Sequence, residues 1–419
     1  MNRLIFHVDV NSAYLSWEAA RRVQQGKEDI RLIASAIGGD RENRTGVILA
    51  KSIPAKKKGI CTGEPVVKAL QKCPDLFVVK PDFRLYEKNS KAFMDICRKY
   101  APAVEKYSID ECFLDMSGTS HSYPDPIKVA YQIKDEIRDT LGFTVNIGIG
   151  TNKLLAKMAS DFEKPDKVHT LFPQEIAKKM WPLSVRDLFT VGASTANKLQ
   201  KARIYTIGDL AQRDVREIQM IVGVKNGQHI HAFANGMDDS PVSTEPEESK
   251  GYSISTTLKD DIKTTAEAYK ILLTLADSVT SRMRVEKAKT YCIGVTIRSN
   301  DFKNHSHQKK LEQATDITAE VYQISKILFD ELWDQRTPLR LLGISLTNIT
   351  RENTEQLTLF PDLQKEKERK VDQAMDAIRN RFGSDFIMRG IPGQNTERVG
   401  RKYKAQLENR RNSKNETEG

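Results

Sequence analysis

The sequence predicts a mixed α/β (α+β) protein of several domains, led by a ferredoxin-like sheet. Three observations carry this. An apolar segment at 4–8 ends in Asp9 and runs into a helical stretch at 13–20. A helical period at 86–100, a strand hairpin around Asp110, a helix at 126–140 and a β-branched strand at 144–149 then follow in order. Strand, helix, hairpin, helix and strand around an antiparallel sheet is the ferredoxin-like plan. Third, a polar linker at 245–249 precedes a second α/β unit.

The first strand and the helix at 86–100 are separated by an insertion at about 30–80. There, short apolar strands at 32–36, 47–50 and 76–79 alternate with basic turns, the most basic being 54–59. After the leading domain, 188–199 is a glycine-punctuated helix start and 204–210 follows it. Beyond the linker come a segment at 251–258, a helix at 264–286, a strand at 291–298, a turn at 299–301 and a strand at 340–348. Val371, Met375, Ile378 and Phe382 recur at helical spacing before Gly383, marking a last helix as a packing element. From 391 the chain is polar and basic and is expected to be disordered.

The chain has 419 residues, enough for two to four domains. Its net charge of +10 points to a polyanionic partner, most simply nucleic acid. Five scattered cysteines with no Cys-x-x-Cys pair argue against a zinc site and a disulfide framework. No signal peptide or membrane-length apolar run is present, so a cytoplasmic location is expected.

The chemistry concentrates at 107–115, where Asp110 and Glu111 stand side by side in a strand-like frame. Adjacent carboxylates repel and resist burial unless something positive joins them. Asp-Glu pairs also lie on solvated turns. The apolar frame on both sides, and a second strand ending in Asp9, favour a site. Asp9, Asp110 and Glu111 together form a donor set for hard divalent cations such as magnesium. Two such ions about 3.5–4 Å apart would clamp an in-line phosphoryl transfer.

The segment 6–14, Phe-His-Val-Asp-Val-Asn-Ser-Ala-Tyr, together with Ser108-Ile109-Asp110-Glu111, resembles the Y-family DNA polymerases of the DNA polymerase IV type. The stretch 152–161 and Lys164-Pro165 extend the resemblance, which covers about five-sixths of the chain. It implies a right-hand polymerase: a ferredoxin-like palm (1–17 and 78–165), small fingers (18–77), a helix-hairpin-helix thumb (166–243), a little finger (244–350) and a tail (351–419). The implied activity is low-fidelity, template-directed DNA synthesis across lesions, by a monomer acting on primer-template DNA and dNTPs. By the same resemblance, Asp9, Asp110, Glu111 and the Val10 carbonyl ligate two Mg2+ ions, and Lys164 grips the triphosphate. Lys157 is a second basic partner, with an exposed helix lysine as the alternative. Tyr14 stands at the steric gate that rejects a 2′-hydroxyl; a core aromatic is the other reading.

Several positions depart from the family pattern. Where relatives carry Tyr-x-x-Arg on the triphosphate, this chain has Ile53 and Lys56; only Lys56 is carried over, as a point charge instead of a bidentate fork. Asn11 replaces a frequent aspartate. In the helix-hairpin-helix, whose amides hold phosphates without reading sequence, Gly192 is retained but Arg203 stands where glycine often precedes Ile204. Arg298 and Lys303, with Lys309 and Lys310 nearby, are placed to follow a DNA backbone. Gln356, Leu357, Leu359 and Phe360 resemble the peptide that docks bacterial polymerases on the β sliding clamp. A non-catalytic DNA-binding factor and a nucleotidyl cyclase remain the rival readings, both disfavoured by the combination of acid trio, hairpin and clamp peptide.

Overall fold

Every residue of Ile5–Val10 (β1) is buried, and the alternation of a strand sorts them between two faces. Phe6, Val8 and Val10 enter the main core of the first unit, while Ile5 packs against Phe113 and Ala156 on the other face. The computed structural model describes residues 3–39, 46–245, 248–352, 363–383 and 386–389. The described residues form two units, one of 3–39 with 47–245 and one of 248–389 with Gly46.

In the first unit β1 leads into Ala13–Gln24 (α1). Ser35–Gly38 (β2), Ile48–Lys51 (β3), Ile53–Lys57 (α2), Val66–Lys72 (α3) and Phe77–Val79 (β4) form the insertion, with strands in the order β3-β2-β4. A small core that includes Ile48, Ala55, Ile60 and Val66 holds it together. The first inserted strand starts at Ser35, later than the apolar run suggests. Leu32 is exposed, and Asp29 accepts from the Arg31 N–H and guanidinium, which keeps the preceding segment in a turn.

Phe83–Tyr100 (α4) begins three residues earlier than its apolar period, because the Asp82 side chain accepts from the Leu85 N–H. Ala103–Lys106 (β5) and Glu111–Asp115 (β6) form the expected hairpin. Pro126–Leu141 (α5) is bounded by an Asp125 cap, Pro126 in its first turn and Gly142 in the left-handed region. Val145–Gly150 (β7), Lys153–Ser160 (α6) and Val168–Leu171 (β8) complete a five-stranded sheet in the order β5-β6-β1-β7-β8. Its first four strands have the ferredoxin-like order. β8 adds a parallel edge strand, so this sheet runs past the expected domain boundary at 165. Ile176–Lys179 (α7), Ala193–Lys201 (α8), Ile207–Gln212 (α9), Val215–Val222 (α10) and Val224–Ala234 (α11) follow as a helical segment, with a core drawn from Leu188, Leu199, Ile207 and Ile230 among others.

The second unit runs Tyr252–Ile262 (β9), Thr265–Val285 (α12), Lys289–Ser299 (β10), Asn304–Thr315 (β11), Thr318–Leu332 (α13), Leu339–Thr350 (β12) and Leu363–Phe382 (α14). Its antiparallel sheet has the order β11-β10-β12-β9. α14 packs differently from its apolar stripe: Val371 and Phe382 are exposed, whereas Asp372, Met375 and Arg379 are buried. Arg379 donates to Asp277 at 2.6 Å and Asp372 accepts from the Thr318 N–H at 2.9 Å. Paired charges therefore dock this helix, and Gly383, at φ 105°, ends it. No helix among the described residues is long and apolar enough to cross a membrane.

α6 lies so close to β7 that a Cβ at Gly148 would overlap the Ala156 carbonyl and the Ser160 N–H. Neither backbone group can yield. Gly148→Ala is therefore expected to cost about 3 kcal/mol, measured as a lowered urea midpoint with unchanged slope.

Candidate active site

Strand register brings the acids together. In the β1–β6 ladder Asp9 lies opposite Glu111, one step beyond Val8 and Cys112. Residues opposite one another share a face of the sheet, here the face turned toward α6. Asp110 sits on the turn before β6. The Tyr107 and Ser108 N–H groups both donate to the Glu111 carbonyl at 3.1 Å, and the Val10 N–H donates to the Asp110 carbonyl at 3.0 Å. The Ser108 hydroxyl donates to the Asp110 carboxylate at 2.7 Å.

Asp9, buried, and Glu111, half-buried, have each taken an ammonium partner. Lys164 donates to Asp9 and also pairs with Asp161 at 2.8 Å. Lys157, from α6, donates to Glu111 at 3.0 Å. His7, fully buried, lies 3.4 Å from the same Glu111 oxygen through Nε2, and its Nδ1 is 2.8 Å from Ser160 Oγ. The Ser160 hydroxyl also donates to the Lys157 carbonyl at 2.7 Å.

The two acids titrate in opposite directions. Burial pushes Asp9 up to about 6, with Lys164 only partly opposing it. Burial also acts against ionised Glu111, but the His7 contact and the Lys157 charge outweigh it and hold the acid down at about 2. Burial lowers the His7 pKa. Desolvation works against the Lys164 ammonium, yet Asp9 and Asp161 more than offset it and raise its pKa.

Among the described residues no three acidic, imidazole or thiol groups converge tightly enough to hold a metal. With Lys164 on Asp9 and Lys157 on Glu111, those two carboxylates each already face a cation. The donor set nevertheless suits a hard divalent ion, since all three side chains offer carboxylate oxygens. The ammonium groups mark where positive charge is required.

Asp9, Val10 and Asp110 open onto a cavity of about 480 Å³, whose wall also includes Tyr14, Lys56 and Lys164. Tyr14 is half-buried and stacks on Tyr86, with ring centroids 4.5 Å apart and planes 14° apart, while Phe83 packs edge-on at 6.1 Å. Ser52 caps α2 by accepting from the Ala55 N–H, which fixes the helix that carries Lys56. Ile53, to which the sequence assigns no role, lines the cavity, as do Lys51 and Thr62. Lys157 does not line it; its ammonium is committed to Glu111, and it is buried, not an exposed helix lysine. Asn11 also lines the cavity, but its side chain accepts from the Asp166 N–H and the Thr144 hydroxyl and donates to Asn146. It ties β1 to the neighbouring loop, a use an aspartate could not fully reproduce.

Gly192 caps α8 without a side-chain bond, so no side chain occupies the first amides of that helix. Arg203 is exposed at φ 62°, the left-handed conformation that explains why glycine suits this position. In the second unit Arg298 donates to Asn304 at 2.6 Å across the β10–β11 hairpin, and Lys303 pairs with Asp301 at 2.8 Å. Lys309 and Lys310 are exposed on β11. Gln356, Leu357, Leu359 and Phe360 lie outside the described residues, as does everything from 390 onward.

Residues 8–161 match the impB/mucB/samB family, 249–359 match that family's C-terminal domain, and 186–238 match the DNA polymerase-iota thumb domain. A protein named DNA polymerase IV from Clostridium acetobutylicum is 43% identical over 394 residues, covering 93% of this chain and 98% of the relative. One of the same name from Clostridium kluyveri is 36% identical over 400 residues, with the same coverage of both chains. A solved Y-family DNA polymerase chimera superposes with a TM-score of 0.72 at 23% identity, covering 83% of this chain and all of the other, a likeness of fold.

Asp9 binds its proton more tightly in the folded protein than in the unfolded chain, where its pKa is about 3.8. Its ionisation therefore weakens the fold as pH rises from about 4 to about 6, by roughly 3 kcal/mol. Glu111 acts oppositely: it contributes stability above about 4.5 that is lost as pH falls toward about 2. Metal-free Asp9→Asn should be more stable than the wild type at pH 7, and the difference should vanish below about pH 4. Urea melts in EDTA across that range would check it.

Proposed function

The chain belongs to the Y-family DNA polymerases, of the bacterial DNA polymerase IV type, and on that footing we propose which residues do its work. It is a DNA-directed DNA polymerase that carries out translesion synthesis, extending a primer 3′ end with dNTPs, and its family uses divalent metal ions. The observation that carries the assignment of the site is the opposition of Asp9 and Glu111, with Asp9 and Asp110, on the adjoining turn, lining a cavity of about 480 Å³.

Asp9, Asp110, Glu111 and the Val10 carbonyl would hold two Mg2+ ions. Bound there, the ions would acidify the primer 3′-hydroxyl and neutralise charge on the triphosphate. Asp9 and Asp110 face the cavity and set the line of attack; Glu111, behind them, is fixed by Lys157 and His7. Lys164 and Lys56 receive the triphosphate, and Tyr14, held flat by Tyr86, blocks a ribose 2′-hydroxyl. Residues 1–17 with 78–165, extended to β8, serve as palm, 18–77 as fingers, the following helices as thumb and 244–350 as little finger. Gly192, Arg203, Arg298 and Lys303 contact the DNA backbone, Gln356, Leu357, Leu359 and Phe360 dock on the β sliding clamp, and the enzyme works as a monomer.

Primer extension with Mg2+ and four dNTPs tests the site. Wild-type extension with Asp110→Ala reduced at least a thousandfold is expected; equal activity of the two would remove Asp110 from the reaction. Tyr14→Ala should admit ribonucleotides while keeping deoxynucleotide incorporation within about tenfold, read from single-nucleotide kinetics with dCTP and CTP. Lys56→Arg should lower the KM for dNTP severalfold, since a guanidinium can engage two phosphate oxygens at once.

A further inference from the structure

β3 ends on a lysine that no motif singles out. Its residues alternate as an edge strand's should: Ile48 and Ala50 are buried, while Leu49 and Lys51 are half-buried and line the cavity. Lys51 is the last strand residue before the Ser52 cap of α2, so its backbone is held by pairing with Ala36 on one side and by a capped helix on the other.

What surrounds its ammonium group is unusual for a lysine in a cleft. Lys51 Nζ donates to the Thr62 hydroxyl at 3.0 Å, a neutral acceptor. The nearby carboxylate that feels its charge, Glu64, is already committed to Lys72 at 2.6 Å and to the Cys61 N–H at 2.7 Å. Among the described residues neither Lys51 nor Lys56 forms an ion pair, whereas Lys164 is held by both Asp9 and Asp161. The cavity therefore has carboxylates and, on its wall, two cations that form no ion pair among the described residues. Like charges held in one cleft repel unless an anion enters between them.

From this we infer that Lys51 is a direct contact to the phosphate arm of the incoming nucleotide, acting with Lys56 on the side where Ile53 brings no hydrogen-bonding group. The inference rests on the polymerase reading of this cavity. Two flexible point charges can each follow a different phosphate oxygen, replacing one planar fork by a pair of movable contacts. The Thr62 hydroxyl parks the Lys51 ammonium when no nucleotide is bound. A template-strand phosphate is the other anion that could lie here, and the test separates the two.

The experiment uses the full chain on a dideoxy-terminated primer–template with Ca2+, which permits binding without turnover. Kd for the complementary dNTP, Kd for the primer–template and the melting temperature are measured for wild type, Lys51→Ala and Lys51→Arg. Lys51→Ala is expected to weaken dNTP binding about tenfold, as loss of one charge-assisted hydrogen bond would. Lys51→Arg should stay within about twofold of wild type, with primer–template Kd and melting temperature unchanged in both variants. Unchanged dNTP affinity in Lys51→Ala overturns the inference, and so does a loss confined to primer–template affinity, which would make Lys51 a template contact. Failure of the wild type itself to bind dNTP would instead bring down the polymerase reading of the cavity together with this inference.

Discussion

Two carboxylates facing one another across a buried strand pair set the terms for the rest of the first unit. Asp9 and Glu111 are forced together by register, and a one-residue slip of β6 would send its apolar residues to the wrong face. The pair cannot be relieved by moving apart, so the surroundings must bring in positive charge. α6 does so through Lys157, and the loop after it through Lys164. For α6 to sit close enough, β7 must present Gly148 beneath it. His7 and Ser160 then close the gap between strand and helix. A stretch of sequence from 145 to 164 is in this sense shaped by two charges on other strands.

The ferredoxin-like order was legible because it depends on local signals: the helical periods at 86–100 and 126–140 and the β-branched run at 144–149. The acid trio was legible because carboxylates inside apolar strands are rare enough to notice. The role of His7 was not. A histidine in an apolar run reads as a core residue, and only the strand pairing reveals that it faces Glu111. Lys157 was singled out as a basic group, but its partner lies 46 residues away across the sheet, so spacing could not tell a substrate contact from a charge partner. β8 was missed because it is short and half-buried, its place decided by a parallel edge that no local pattern announces. Aromatic stacking around Tyr14 likewise depends on α4 returning to α1, a contact between residues 72 apart in sequence.

The two units solve the burial of charge differently. In the first, Lys164 pairs with Asp9 at the wall of a cavity, and Lys157 pairs with Glu111 behind it. In the second, Asp277, Asp372 and Arg379 are sealed between helices, each with a partner, and serve to seat α14. Replacing one member of such a pair leaves the other stranded, which makes the arrangement costly to change piecemeal but selective for a single helix position. An apolar stripe would bind as strongly in several registers.

The ammonium groups on Asp9 and Glu111 have a thermodynamic consequence beyond holding the fold together. With Lys164 on Asp9 and Lys157 on Glu111, these two carboxylates do not stand as bare negative charge, and on the proposed reading of the site a metal ion arrives where cations already sit. Loading becomes an exchange of counter-ions, not an addition, and the net charge of the cleft changes little as the lysine leaves one anion for another. An exchange of that kind is governed by what arrives with enough negative charge of its own to draw the lysine away. The resting enzyme thus resembles a cation exchanger already in its ammonium form.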